Sequence, residues 1–227
     1  MIIQQAPQAA LFKQQLRDSL LREAKDSRSV TVAKHDNIYT CGDRDENIYF
    51  IESGQVKLLM LSPEGKECLL AIYTAGDIFG ELCLSGVSAR METATAMEET
   101  VLKLLPCSKF FPRLSSDSLL EGFVRYLAVR IADQQEAIAN LVTVDSERRL
   151  GKTLLQLAGK LGRKDPSSVR IEHKISHEEL SKMVGTTRPR ISEFMQRFRT
   201  LGLIEISIEH FIVVKERELS EYLSRIA

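Results

Sequence analysis

The chain has 227 residues, 44 % hydrophobic and 27 % charged, with 31 Lys+Arg balanced by 31 Asp+Glu. These are the proportions of an ordinary globular protein of one large domain or two modest ones. No apolar run approaches the ~20 residues that span a bilayer, and Met1–Leu20 lacks the basic start, apolar core and small-residue cleavage site of a signal peptide, so a cytoplasmic protein with no membrane partner is expected.

The neutral total hides an asymmetry. Residues 146–227 carry 16 Lys+Arg against 11 Asp+Glu, whereas residues 1–145 carry 15 against 20. A basic part joined to an acidic part suggests that the C-terminal portion meets a polyanion. Cys41, Cys68, Cys83 and Cys107 are widely spaced, form no C-x-x-C and have no paired His, so no metal site is expected. They read as reduced, partly buried thiols, with a redox sensor as the sharper alternative.

In chain order, Leu11, Phe12, Leu16, Leu20 and Leu21 predict a short amphipathic helix over roughly Ala9–Lys25. From Ser29 to Leu105 the texture becomes β-rich. Runs such as Ile48–Ile51, Val56–Leu61 and Cys68–Tyr73 are divided by turn signals at Gly42-Asp43, Ser53-Gly54, Pro63-Glu64-Gly65 and Ala75-Gly76-Asp77. Many short strands with turns at this spacing predict a sandwich or barrel. Pro106 and Pro112 bracket its exit.

A long helix follows, from about Ser116 to Val142. Leu120, Val124, Leu127, Ile131, Gln134, Ile138 and Leu141 step by alternating four and three residues, the seam of a two-stranded coiled coil and hence of a homodimer. A helix packed on its own domain is the other reading. Gln134 is polar and either fixes register or reaches something bound beside the interface. The next seam position is the charged Asp145, which reads as the N-cap of a new helix to Leu161. Asn140–Asp145 is therefore the expected hinge, and Gly162–Ser168 is a loop by composition. The expected domains are residues 1–115, a helix and hinge at 116–144, and residues 145–227.

Ser176-His177-Glu178-Glu179 is a capping box opening a helix that Gly185 ends. Thr187 then caps a second helix with Pro189 in its first turn, Ile191, Phe194, Met195 and Phe198 as its apolar face, and Gly202 after its end. Two short capped helices around a glycine turn make a helix-turn-helix. The second helix leaves Arg188, Arg190, Glu193, Gln196, Arg197 and Arg199 on its outer face. Arginine forks to guanine and glutamate accepts from cytosine, so Arg188, Arg190 and Glu193 are candidate base readers of double-stranded DNA. Lys152, Lys182, Arg197 and Arg199 suit phosphates. Leu203–Val214 reads as a β-hairpin wing around Glu209-His210. His35, His173, His177 and His210 are scattered, no catalytic constellation is visible, and no enzyme is expected.

With these residues in view the chain resembles the cyclic-AMP receptor protein (Crp–Fnr) family over nearly its whole length. The resemblance is carried by Gly76–Leu82, Arg90–Ala96, the long helix and Ile175–Leu203. It implies an α+β protein with an N-terminal cyclic-nucleotide-binding-like β-roll, a long dimerisation helix and a C-terminal winged helix-turn-helix. The implied function is that of a transcription regulator binding a two-fold symmetric operator, with RNA polymerase as a further partner. In the family's R-E-x-x-x-R recognition pattern Arg188 matches the first Arg, while Pro189 and Glu193 replace the Glu and the second Arg, so a different half-site is expected.

By the same resemblance Gly80, Glu81, Leu82 and Cys83 match the segment that cradles a cyclic-nucleotide phosphate. Glu81 is the ribose acceptor, Arg90 with its neighbour Met91 the phosphate side, and Gln134 and Gln135 stand where small hydroxyl residues read adenine. The acidic Glu92 departs from the pattern. Cyclic AMP or cyclic GMP, another small effector, or no ligand with Glu81 and Arg90 paired as a barrel salt bridge all remain open. A regulatory module that binds nucleotide but acts through protein contacts is the rival; it leaves Arg188 and Arg190 without a role.

Overall fold

The computed structural model describes residues 7–22, 28–87 and 89–225. The chain divides into two compact units, with the break between Ala132 and Asp133. Each is described by itself.

The first unit opens with helix α1 (Pro7–Arg22), on which Phe12, Leu16 and Leu20 recur every four residues and are buried while Leu11 and Leu21 stay exposed. The predicted end at Lys25 lies outside the described residues. Eight strands follow: β1 (Arg28–Val32), β2 (Asn37–Tyr39), β3 (Asn47–Ser53), β4 (Gln55–Leu61), β5 (Glu67–Thr74), β6 (Ile78–Phe79), β7 (Thr93–Ala96) and β8 (Thr100–Pro106). They form two four-stranded antiparallel sheets, ordered β1-β8-β3-β6 and β2-β7-β4-β5. Ile51, Phe79 and Leu102 from one sheet meet Tyr39, Val56, Leu58 and Ala94 from the other in a shared core. The two-residue period of a strand puts these side chains on one face.

Between β6 and β7 lies a single 3-10 turn, Glu81–Ser85. The expected exit from the barrel is itself helical: α2 (Cys107–Ser116) carries Pro112 inside it. Ser118, at φ 55°, separates α2 from α3 (Leu120–Thr143), so the long helix starts four residues later than expected. Phe123 and Tyr126 of α3 pack with Phe12 and Phe110 into a second core.

In the second unit, α4 (Ser146–Leu161) is capped by Asp145, whose side chain accepts from the N–H groups of Glu147 (2.9 Å) and Arg148 (3.0 Å), as expected. The stretch after it is not a plain loop. Residues 162–164 form β9 (Gly162–Lys164), paired with β10 (Val169–Ile171), whose apolar Val169 and Ile171 are buried. Helices α5 (His177–Val184) and α6 (Arg188–Thr200), strands β11 (Ile204–Ile206) and β12 (Ile212–Val214), and α7 (Glu216–Arg225) complete the unit, whose sheet order is β11-β12-β10-β9. Composition left α7 unread; its Leu219 and Leu223 are buried, Leu223 against Gly151 of α4. Among the described residues no helix is long and apolar enough to cross a membrane.

Candidate functional site

The capping box of α5 is complete. Ser176 Oγ accepts from the Glu179 N–H at 3.1 Å, and the Glu179 carboxylate accepts from the Ser176 N–H at 3.0 Å. Gly185 takes φ 68°, ψ 48°, a left-handed conformation that ends α5 at little steric cost. Thr187 occupies the N-cap position of α6 with extended backbone, but its side chain makes no capping bond; Pro189 in the first turn sets the helix entry instead. Ile191, Phe194, Met195 and Phe198 are buried, and Arg188, Arg190, Glu193, Gln196, Arg197 and Arg199 are exposed. The sequence-derived division of α6 into two faces is therefore the observed one.

Its basic residues are not equivalent. Arg197 reaches Glu147 of α4 at 2.8 Å, and Glu147 also accepts from Tyr222 of α7 at 2.8 Å. Lys182 pairs with Glu178 at 3.3 Å. Arg190 lies over the Phe194 ring, 5.6 Å from its centre. His177 Nδ1 lies 2.8 Å from Ser192 Oγ, joining α5 to α6; burial and the nearby Arg188 charge hold its pKa below the ordinary value. The wing is β11–β12 with a tip at Ser207–Phe211, where His210 takes φ 66° and Ile208 is fully exposed.

In the first unit the residues expected at an effector pocket part company. Leu82 and Met91 are exposed. Gly80, at φ 79°, accepts from Arg90 Nη1 through its carbonyl at 2.7 Å. A Cβ on residue 80 would lie 2.9 Å from that nitrogen and 3.0 Å from the Asn47 carbonyl oxygen, so a side chain there would have to displace the guanidinium, and the positive φ favours glycine as well. Glu81 and Arg90 do not pair with each other. Glu81 binds Arg130 of α3 at 2.9 Å, and Arg130 also donates to the Tyr73 hydroxyl. Arg90 binds Asp45 at 2.8 Å and donates to the Asn47 carbonyl, with its guanidinium 4.3 Å from the centre of the Tyr39 ring. Each of these two carboxylates thus has its own arginine: Asp45 has Arg90, and Glu81 has Arg130.

Asp45 is held by more than the ion pair. Burial alone raises its pKa, but the hydrogen bonds from Tyr49, Arg90 and Asn47 and the Arg90 charge outweigh this and keep the carboxyl below the ordinary aspartate value. Glu92 is buried and accepts from the Tyr39 hydroxyl at 2.8 Å. Cys83 and Cys107, remote in sequence, meet: burial and a hydrogen bond with Cys107 push the Cys83 thiol up to about 12. Gln134 and Gln135 are exposed on α3 in the second unit.

Asp45, Tyr39, Tyr49 and Arg130 were missed from sequence. Arg130 had a signal: Phe123, Tyr126 and Arg130 are spaced by three and four, which places a cation on the apolar face of α3. Asp45 lies in a polar Gly42–Asn47 stretch that reads as a turn.

Residues 29–117 match the family model of the cyclic nucleotide-binding domain, and residues 148–222 that of the Crp-like helix-turn-helix domain. Over 173 residues the chain is 31 % identical to the transcriptional regulator LdrP of Thermus thermophilus, covering 76 % of this chain and 85 % of that protein. The chain belongs to the Crp–Fnr family. Within that family it is 26 % identical over 197 residues to a CRP-like cAMP-activated global transcriptional regulator of Mycobacterium tuberculosis, covering 86 % of this chain and 88 % of the relative. Among solved structures, a CooA variant from Carboxydothermus hydrogenoformans matches with a TM-score of 0.75 at 27 % identity, covering 88 % of each chain. This Crp–Fnr protein is accordingly a DNA-binding transcription regulator, and its relatives are regulators rather than enzymes.

Proposed function

We propose that this regulator binds a two-fold symmetric operator as a cytoplasmic homodimer, with α6 as the recognition helix and Arg188, Arg190 and Glu193 reading bases. The observation that carries the reading is the split of α6: its apolar side is sealed in the unit's core, while these three residues stand exposed at the end whose entry Pro189 sets. In this reading Arg199 and Lys182 take phosphate contacts. Arg197, held by Glu147, orients α6 against α4.

The dimer rests on the seam of α3. Val124, Ile131 and Ile138 are 57 %, 54 % and 62 % exposed in the single chain, and Leu120 and Leu141 are also exposed, whereas Phe123 and Tyr126 on the other side are buried. An apolar stripe at heptad spacing needs a partner helix, and a second copy supplies the same stripe. Half-sites are then expected about one helical turn, roughly 34 Å, apart. Two linked recognition helices gain affinity because the second half-site binds intramolecularly. RNA polymerase is the expected protein partner, by likeness to the relatives. Any effector acts by favouring one packing of the α3 pair and thus one separation of the recognition helices.

A gel shift on a selected operator, repeated from low to high salt, tests this. Affinity is expected to fall steeply as salt rises, as when several phosphates are contacted. Binding that ignores salt, or a monomer in solution that binds single half-sites as tightly as the full site, contradicts it.

A further inference from the structure

The side chain of Arg90 is only 3 % exposed, and its buried Nε has no hydrogen-bond partner. A buried guanidinium needs a counter-charge, and here the chain brings its own. Both oxygens of Asp45 are saturated. Oδ1 accepts from the Asn47 N–H at 3.0 Å and from Asn47 Nδ2 at 2.6 Å; Oδ2 accepts from Tyr49 at 2.5 Å and from Arg90 Nη2 at 2.8 Å. A guanidinium, a phenol, a main-chain N–H and an amide are the donors that the oxygens of a phosphate take.

We propose that Asp45 is a built-in anionic ligand: it occupies on Arg90 the place of a phosphodiester, so the sensor is self-liganded and the protein binds its operator without a cyclic nucleotide. This rests on the reading of the chain as an operator-binding regulator with its anion side at Gly80 and Arg90.

Two further observations support it. The loop that carries Asp45 is fastened to the Arg90 segment from both directions. Gly42 N–H donates to the Arg90 carbonyl at 2.8 Å, Arg90 N–H donates to the Asp43 carbonyl at 2.9 Å, and Thr40 N–H donates to the Asp43 carboxylate at 2.7 Å. The carboxylate is thus held in place rather than hung on a free arm. The second is charge. Asp45, Glu81 and Glu92 stand in this barrel with Arg90 and Arg130, a formal excess of one negative charge among these five. An entering phosphodiester meets that excess and has to expel a carboxylate already bound by four donors.

Calorimetric titration of cyclic AMP and of cyclic GMP into the full-length dimer, to about 1 mM, is expected to give no binding heat. Operator affinity is expected to change less than about twofold with either nucleotide. Asp45→Asn keeps the shape but removes the charge, leaving Arg90 open to inorganic phosphate. Its melting temperature is expected to rise about 3 °C in about 10 mM phosphate over chloride, while wild type and Asp45→Asn/Arg90→Gln do not respond. Heat with either nucleotide in wild type that Arg90→Gln abolishes overturns the proposal, as does operator binding that requires the nucleotide. So does an Asp45→Asn protein that melts cooperatively yet answers phosphate no more than the double variant. If Asp45→Asn does not fold in chloride, recovery of its cooperative melt in phosphate is the supporting result, and no recovery overturns the idea. A wild-type protein that binds no operator with or without nucleotide sinks the operator reading instead.

Discussion

The two halves of this regulator keep their function in different places. In the second unit the candidate groups are on the outside: α6 turns four apolar residues inward, and its charged residues face solvent. In the barrel they are on the inside, where each charge is defined by a partner about 45 residues away, as Arg90 is by Asp45, or about 50 away, as Arg130 is by Glu81. A surface reader tolerates change in its scaffold as long as the helix is presented. A buried polar cluster does not, because removing one member leaves another unpaired in a medium that solvates it poorly.

The largest effect should therefore come from the barrel. Arg130→Ala strips the nearly buried Glu81 of its counter-charge and is expected to cost about 3 kcal/mol of stability, read by chemical denaturation. A cost near zero breaks the contrast between the halves. Arg188→Ala, by comparison, is expected to leave the melt unchanged and to cost about 1–3 kcal/mol in operator binding, with relaxed preference at one base position per half-site in a binding-site selection. Full specificity in that variant removes Arg188 from the reading set. Ser176→Ala deletes the oxygen that caps α5 and should lower stability by about 1 kcal/mol, with operator affinity falling only as far as folding does.

The smallest effect concerns pH. His177 has its pKa depressed by burial and by the Arg188 charge, so the unfolded chain protonates first as pH drops. Its contribution to stability is complete above about pH 6.5 and is lost as pH falls through the lower folded value. Stability curves at successive pH values should show this component in wild type and lack it in His177→Gln. An identical pH dependence in the two proteins places the histidine outside the α5–α6 contact.

The same contrast explains what the sequence disclosed. Ser176 with Glu179, Gly185, Pro189 and the spacing of Ile191, Phe194 and Phe198 are local signals, each acting within one helical turn, and the structure uses them in that way. The barrel was legible as strands because its period and turn residues are local too. Its pairings were not, since nothing in Gly42–Asn47 says that Asp45 faces a guanidinium on the adjoining segment, 45 residues later in the chain. Likewise Cys83 and Cys107 look unrelated until the 3-10 turn and α2 bring their thiols together. Strand β9 was missed for a related reason: Gly162-Arg163-Lys164 has no strand character of its own, and pairing with the buried β10 supplies it.

The most direct measurement is selection of DNA sequences by the full-length protein, run side by side with and without cyclic AMP. The account predicts one palindrome in both, with half-sites about one helical turn apart, and with positions facing Arg188 that lose their preference in Arg188→Ala. A non-palindromic consensus, no enrichment at all, or a palindrome that emerges only with the nucleotide would contradict it.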